Sequence, residues 1–145
     1  LGIQWHVLAM FGPSFFTGRL IARFGKETIA ATGLALIAGC AVIALSGLGL
    51  THFWLALILL GVGWNFGFIG ATAMITDCHT PEERGKVQGL NDFLVFGSTA
   101  TASFLAGALV HIDNGWSMMN WLVFPAVALV LVPLMFSRRL FARAG

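Results

Sequence analysis

The chain has 145 residues, of which 58% are hydrophobic and only 10% charged, and its mean hydropathy is +0.89. Soluble domains carry about 25% charged residues, so a soluble fold is excluded. The net charge is +2 and the cations sit beside apolar runs, which points to membrane lipid as a partner and not to nucleic acid.

A helix needs about 20 apolar residues to cross the hydrocarbon core of a bilayer. Five segments are read as spans, at about residues 3–17, 28–45, 53–75, 88–110 and 117–136. The fold class is therefore all-α, a polytopic membrane helix bundle. Strands are excluded because the runs are continuous rather than alternating, and a few short strands would leave unpaired backbone in lipid.

All eight lysines and arginines fall into three clusters outside the apolar runs: Arg19, Arg23 and Lys26; Arg84 and Lys86; and Arg138, Arg139 and Arg143. The connections at 47–52 and 111–116 hold no lysine or arginine. Cationic connections stay on the cytoplasmic side, so the loops alternate and the C-terminus is expected inside a bacterial inner membrane. Trp5, Trp54, Trp116 and Trp121 all fall at the ends assigned to the outer side, as an aromatic belt requires, whereas Trp64 lies mid-span.

The first segment is short and starts at Leu1 with no signal-peptide pattern, so the expectation is that Leu1 is not the true N-terminus and that further helices precede it. Gln4, Phe11, Phe15 and Gly18 share one face, and Pro13 is placed to let the helix bend. His6 near the outer boundary is either a satisfied interfacial group or a titrating one. His52 and His111 read as turn residues.

Cys40 falls within the second span and Cys78 in a cytoplasmic connection, so no disulfide is expected between them. The neighbours Cys78 and His79 lack two further ligands at zinc spacing, so no metal and no cofactor are expected.

On the third span, at about 100° per residue, Gly63, Gly67, Gly70 and Met74 fall on one side and Gly61, Asn65, Phe68 and Thr72 on the other. The first set reads as a close-packing seam, with Gly63 and Gly67 a small-xxx-small pair. The second has the make-up of an apolar pocket with a few placed polar groups, or of a helix whose Asn65 hydrogen-bonds a neighbour. Trp64 beside it serves either packing or substrate stacking.

The fourth span carries Gln88, Asn91, Val95, Ser98 and Ala102 on one stripe and Asp92, Phe96, Thr99 and Ser103 on the next, a pattern fit for tight packing or a cavity wall. Asp92 is the lone acid in a span. It is expected either to latch Arg19 or Arg23 in one conformation or to be stabilised by its own helix N-terminus.

Two cytoplasmic stretches carry motifs. Gly18-Arg19-Leu20-Ile21-Ala22-Arg23-Phe24-Gly25-Lys26 resembles the G-x-L-x-D-R-x-G-R-K loop of the major facilitator superfamily, with Ala22 at the aspartate position. Thr80-Pro81-Glu82-Glu83-Arg84-Gly85-Lys86-Val87-Gln88-Gly89 resembles that family's P-x-x-R-G-x-x-x-G loop. Gly25 is suited to end a helix in the left-handed conformation, and Pro81, Glu82 and Glu83 suit a helix N-terminus. The bases can neutralise helix C-termini or pair with an acid on a neighbouring helix.

The resemblance covers nearly the whole chain and extends to Gln4-Trp5-His6, Phe11-Gly12-Pro13-Ser14-Phe15-Phe16-Thr17-Gly18 and Gly61-Val62-Gly63-Trp64-Asn65-Phe66, which are similar to an uncharacterised bacterial branch of the superfamily. It implies two pseudo-symmetric six-helix bundles with substrate held between them near the midplane and access alternating by rocking. The lost aspartate at Ala22 favours helices eight to twelve over two to six, giving a partial major facilitator fold. The first, third and fourth spans would then line the cavity.

The expected cavity residues are Gln4, Phe11, Trp64, Asn65, Phe68, Thr72, Asn91 and Ser98. The expected gating residues are Gly18, Arg19, Arg23, Gly25, Pro81, Glu82, Arg84, Gly85 and Asp92. The partners are a small-molecule substrate, lipid and the missing N-terminal helices; no coupling-ion site is visible in these spans, so any proton coupling is assigned to the helices not present. An enzyme is set aside because the spans hold no convergent acids, nucleophile with base, or metal ligands. A non-transport membrane scaffold stays open, since glycine seams also serve packing alone.

Overall fold

The structure is a computed structural model that describes residues 1–144, with side chains described for residues 1–136. Among the described residues it is all helical: α1 (Gly2–Phe11), α2 (Ser14–Phe24), α3 (Lys26–Ser46), α4 (Leu50–Thr76), α5 (Arg84–Leu109) and α6 (Gly115–Ala144). α3, α4, α5 and residues 115–136 of α6 are each long and apolar enough to cross a membrane. The fifth span is α1 and α2 together. Gly12 and Pro13 between them keep right-handed helical angles, so the two form one kinked helix over residues 2–24. At about 1.5 Å per residue it is about 34 Å long, enough for a core of about 30 Å.

This corrects the expected boundary at residue 17. The helix runs on through Gly18, Arg19 and Arg23 to Phe24, because arginine near a helix end can keep its stem along apolar surface and its head in water. The guanidinium of Arg23 lies 5.2 Å from the centroid of the Phe24 ring. What looked like a loop shrinks to Gly25, whose φ of 84° is open to glycine and strained for other residues. α6 likewise outruns its expected end at residue 136; the cluster Arg138, Arg139 and Arg143, expected to anchor the C-terminus, lies outside the described side chains. Pro125 and Pro133 fall inside α6, where neighbouring groups must take up the carbonyls they leave free.

Packing centres on α4. It lies against α3 and α1, while α6 packs on α3. Lipid gives helices no hydrophobic reason to associate, so the contact must come from close approach, and the buried residues are small: Ala30, Ala41, Ala44 and Ala56 with Ile29. A Cβ on Gly33 would lie 2.7 Å from the Gly63 carbonyl oxygen and closer still to the Gly67 nitrogen. One on Gly70 would stand 2.9 Å from the Ala30 nitrogen, and one on Gly61 2.6 Å from the His6 carbonyl of α1.

The seam on α4 is thus real, with Gly33 of α3 at its centre, a residue the sequence reading did not name. Gly67 contributes backbone only: a Cβ there would meet nothing within 4 Å. α5 differs from all of these. It touches α4 and α6 at few points and buries none of its residues.

Candidate functional site

Pro13 has no N–H, so the turn above it loses a hydrogen-bond donor and the carbonyls before the kink need other partners. One comes from α4. The Asn65 amide nitrogen donates to the Met10 carbonyl at 2.8 Å and to the Ser14 hydroxyl oxygen at 2.7 Å. The Thr17 hydroxyl lies 2.8 Å from the Pro13 carbonyl and 2.7 Å from the Asn65 carbonyl oxygen, so a single proton is shared between two acceptors. Thr17 is wholly buried and Asn65 is 3% exposed.

The structure shows the neighbour-helix bonds of Asn65, and the same residue also lines an adjoining cavity. Its donors are committed to the kinked helix. A residue the sequence reading passed over, Ser14, takes the exposed position beside it.

Next to this clamp is a cavity of about 340 Å³ between the kinked helix, α4 and α5, walled by Phe11, Ser14, Trp64, Asn65, Phe68 and Phe96 among others. Trp64 and Phe68, one turn apart, hold their rings at 10° with centroids 5.8 Å apart, within the range of an offset parallel pair. Phe11 and Phe96 are 60% and 59% exposed. A second, almost wholly apolar cavity of about 270 Å³ lies on the α3 and α6 side of the same aromatic pair.

The structure thus brings Phe11, Trp64, Asn65 and Phe68 together around one space. It does not bring the other expected residues there. Gln4 is exposed at the far end of α1, and Thr72 is two turns further along α4. Ser98 donates back to Val95 of its own helix at 2.9 Å. Asn91 donates to the neighbouring Asp92 at 3.3 Å.

Asp92 also accepts from Gln88, one turn earlier, at 3.3 Å. It is held on its own helix and not by Arg19 or Arg23, and it lies two turns past Arg84, beyond the reach of the helix N-terminus. Among the described residues, the ion pair between the α3 start and the α4 end is Lys26 with Asp77. Each charge sits at the unfavourable end of its own helix, but α3 and α4 run antiparallel, so each also faces the favourable end of its neighbour.

Before α5, the expected motif residues Pro81, Glu82, Arg84 and Gly85 are all exposed. Helix entry is organised by Thr80 and Glu83: the Thr80 backbone N–H and hydroxyl both reach the Glu83 carboxylate at 3.4 Å. This Thr-x-x-Glu contact closes the turn just before α5, whose N-cap is Glu83 itself, and its spacing was there to be read. Glu82 is held below the usual carboxylate range by its own backbone N–H and then by the Thr80 hydroxyl. At the opposite end, the His6 Nδ1 lies 2.8 Å from the Leu57 carbonyl, which only accepts, so that nitrogen carries the proton.

Five helical spans, a cavity among three of them and two motif-bearing ends agree with what comparison with known proteins finds. Residues 5–144 match the Major Facilitator Superfamily. The chain belongs to that family. It is 72% identical over 134 residues to the riboflavin transporter RfnT of Brucella anthropi, a match covering 92% of this chain and 33% of that protein. It is 44% identical over 112 residues to YddS of Bacillus subtilis, an uncharacterised transporter of the same type, covering 76% of this chain and 26% of the relative. A facilitated glucose transporter of mouse, solute carrier family 2 member 12, is 24% identical over 132 residues, covering 88% of this chain and 21% of the relative. The chain thus spans about a third or less of the length of these relatives. No solved structure matches it.

Proposed function

We propose that this chain is the C-terminal part, about helices eight to twelve, of a secondary transporter that moves a flavin or similar flat heteroaromatic molecule across a bacterial inner membrane by alternating access. The observation that carries the proposal is the cavity beside the clamped kink, apolar and aromatic with a few polar groups, as small-molecule sites are. The 72% identity to a riboflavin transporter supplies the substrate class. The cavity lies among the three spans that face the other half in a two-bundle transporter, and that other half would complete it.

In this reading Phe11, Trp64, Phe68 and Asn65 belong to the substrate cavity, while Gln4, Thr72, Asn91 and Ser98 lie along the faces that lead to it. Gly25 permits the tight turn at the cytoplasmic end, and Lys26 with Asp77 pins α3 to α4 there. Arg19, Arg23, Arg84 and Asp92 flank that pair on the same side, with the C-terminus cytoplasmic.

The test is uptake of radiolabelled riboflavin by the full-length protein in sealed liposomes. Saturable accumulation above empty liposomes is expected. No accumulation in either membrane orientation would refute the flavin assignment.

A further inference from the structure

Hydrogen-bond accounting around Asn65 singles out one group that the clamp leaves unsatisfied. The Met10 carbonyl only accepts, so the Asn65 amide nitrogen must be the atom that faces it. The same nitrogen faces the Ser14 oxygen, so Ser14 is the acceptor in that bond. Its own hydroxyl proton then has no acceptor among the described residues, and Ser14 is an exposed wall residue of the 340 Å³ cavity. Asn65, which also lines the cavity, is buried and has both its donors committed. Across the cavity, the rest of the wall is dominated by the aromatic rings of Phe11, Trp64, Phe68 and Phe96.

We infer that this cavity is a subsite for a planar heteroaromatic ring that bears a carbonyl or ring-nitrogen acceptor on its edge. The ring stacks on the Trp64 and Phe68 wall, and the Ser14 hydroxyl donates to its acceptor edge. Asn65 does not touch the ligand: it is a positioning residue that turns the Ser14 oxygen inward and so aims the proton outward. A sugar or an aliphatic acid would leave the aromatic wall without a flat partner, whereas a flat ring without an edge acceptor would leave the Ser14 donor unpaired, which costs affinity. The inference rests on the flavin reading above and adds to it which atoms hold the ring.

The experiment uses the full-length protein in detergent and riboflavin as the probe, whose own fluorescence falls when its ring stacks on indole. With the unaltered protein, titration should quench riboflavin saturably. Ser14→Ala should raise Kd about fivefold to tenfold with the quench at saturation kept, since stacking is intact. Ser14→Thr, which retains the hydroxyl, should restore most of the affinity. Trp64→Leu should weaken binding about tenfold and reduce the quench at saturation. A monodisperse elution profile for each variant separates loss of the site from loss of the fold.

If riboflavin binds and is transported but Ser14→Ala and Trp64→Leu both match the unaltered protein, the subsite is wrong and the transport reading stands. If the unaltered protein neither binds nor transports riboflavin, the flavin reading fails and the subsite with it.

Discussion

The two sides of α4 are built on opposite rules. Toward α1 and α3 it presents glycines that leave no space for a Cβ, together with an asparagine whose bonds are all internal to the protein. Toward α5 it presents the 340 Å³ cavity and loose contact, and α5 itself buries nothing. A membrane bundle gains no stability from burying apolar surface against protein instead of lipid, so only the first side can hold the fold together. The second side is free to open, close or meet another surface. That division puts the closely packed wall of the candidate site on α1, α2 and α4 and its loosely packed wall at Phe96 of α5.

The comparison breaks most readily at glycine. Gly33→Ala should cost about 1–3 kcal/mol, because its Cβ meets backbone atoms that cannot rotate away. The same change at Gly97 of α5, where a Cβ meets nothing within 4 Å, should be neutral or stabilise by up to about 1 kcal/mol through helix propensity. Thermal midpoints of the full-length protein in detergent check both, and equal losses at the two positions would erase the distinction between the two sides.

A smaller effect is expected at the clamp. Asn65→Ala removes three hydrogen bonds at about 0.6 kcal/mol each, for a loss of about 2 kcal/mol. Hydrogen exchange of the backbone around Met10 and Ser14 should rise in that variant, while exchange in α5 stays as it was. Uniform change along the chain would mean that Asn65 does not act on the kink.

The smallest effect is at the cytoplasmic end, where Lys26→Ala or Asp77→Asn should cost at most about 1 kcal/mol and less in high salt, since Asp77 is 66% exposed. A larger loss, or one insensitive to salt, would show the pair to be more than a surface contact.

The spans were legible because long apolar runs and clustered cations are strong signals over tens of residues, and no neighbouring element is needed to interpret them. The kinked helix shows where that stops. Arg19 and Arg23 mark the cytoplasmic side correctly, yet a charge marks where water is reached and not where the helix ends, so the boundary fell seven residues short of Phe24. Pro13 was readable as a bend, but the groups that satisfy the bend were not, since Asn65 lies 55 positions from Met10 and 48 from Thr17.

Gly33 was missed for the same reason: a helical wheel drawn on α4 shows its own glycine row but not which residue of α3 enters it. Asp92 was singled out as the acid within a span, and the structure gives it only neighbours on its own helix. Asp77, which the sequence reading did not name, pairs instead with Lys26 at the start of α3. Thr80 and Glu83 were different, because their Thr-x-x-Glu spacing is local and was visible all along.

The central claim, that a flat substrate occupies the space between Ser14 and the Trp64–Phe68 wall, is tested most directly by chemical labelling. A full-length protein with Cys40 and Cys78 replaced by serine, any further native cysteines likewise replaced, and a single Ser14→Cys substitution would be treated with a small water-soluble maleimide in membrane vesicles. The account predicts that Cys at this position reacts and that saturating riboflavin slows the reaction severalfold, while glucose does not. Labelling at the same rate with and without riboflavin, in a protein that transports riboflavin, would contradict it.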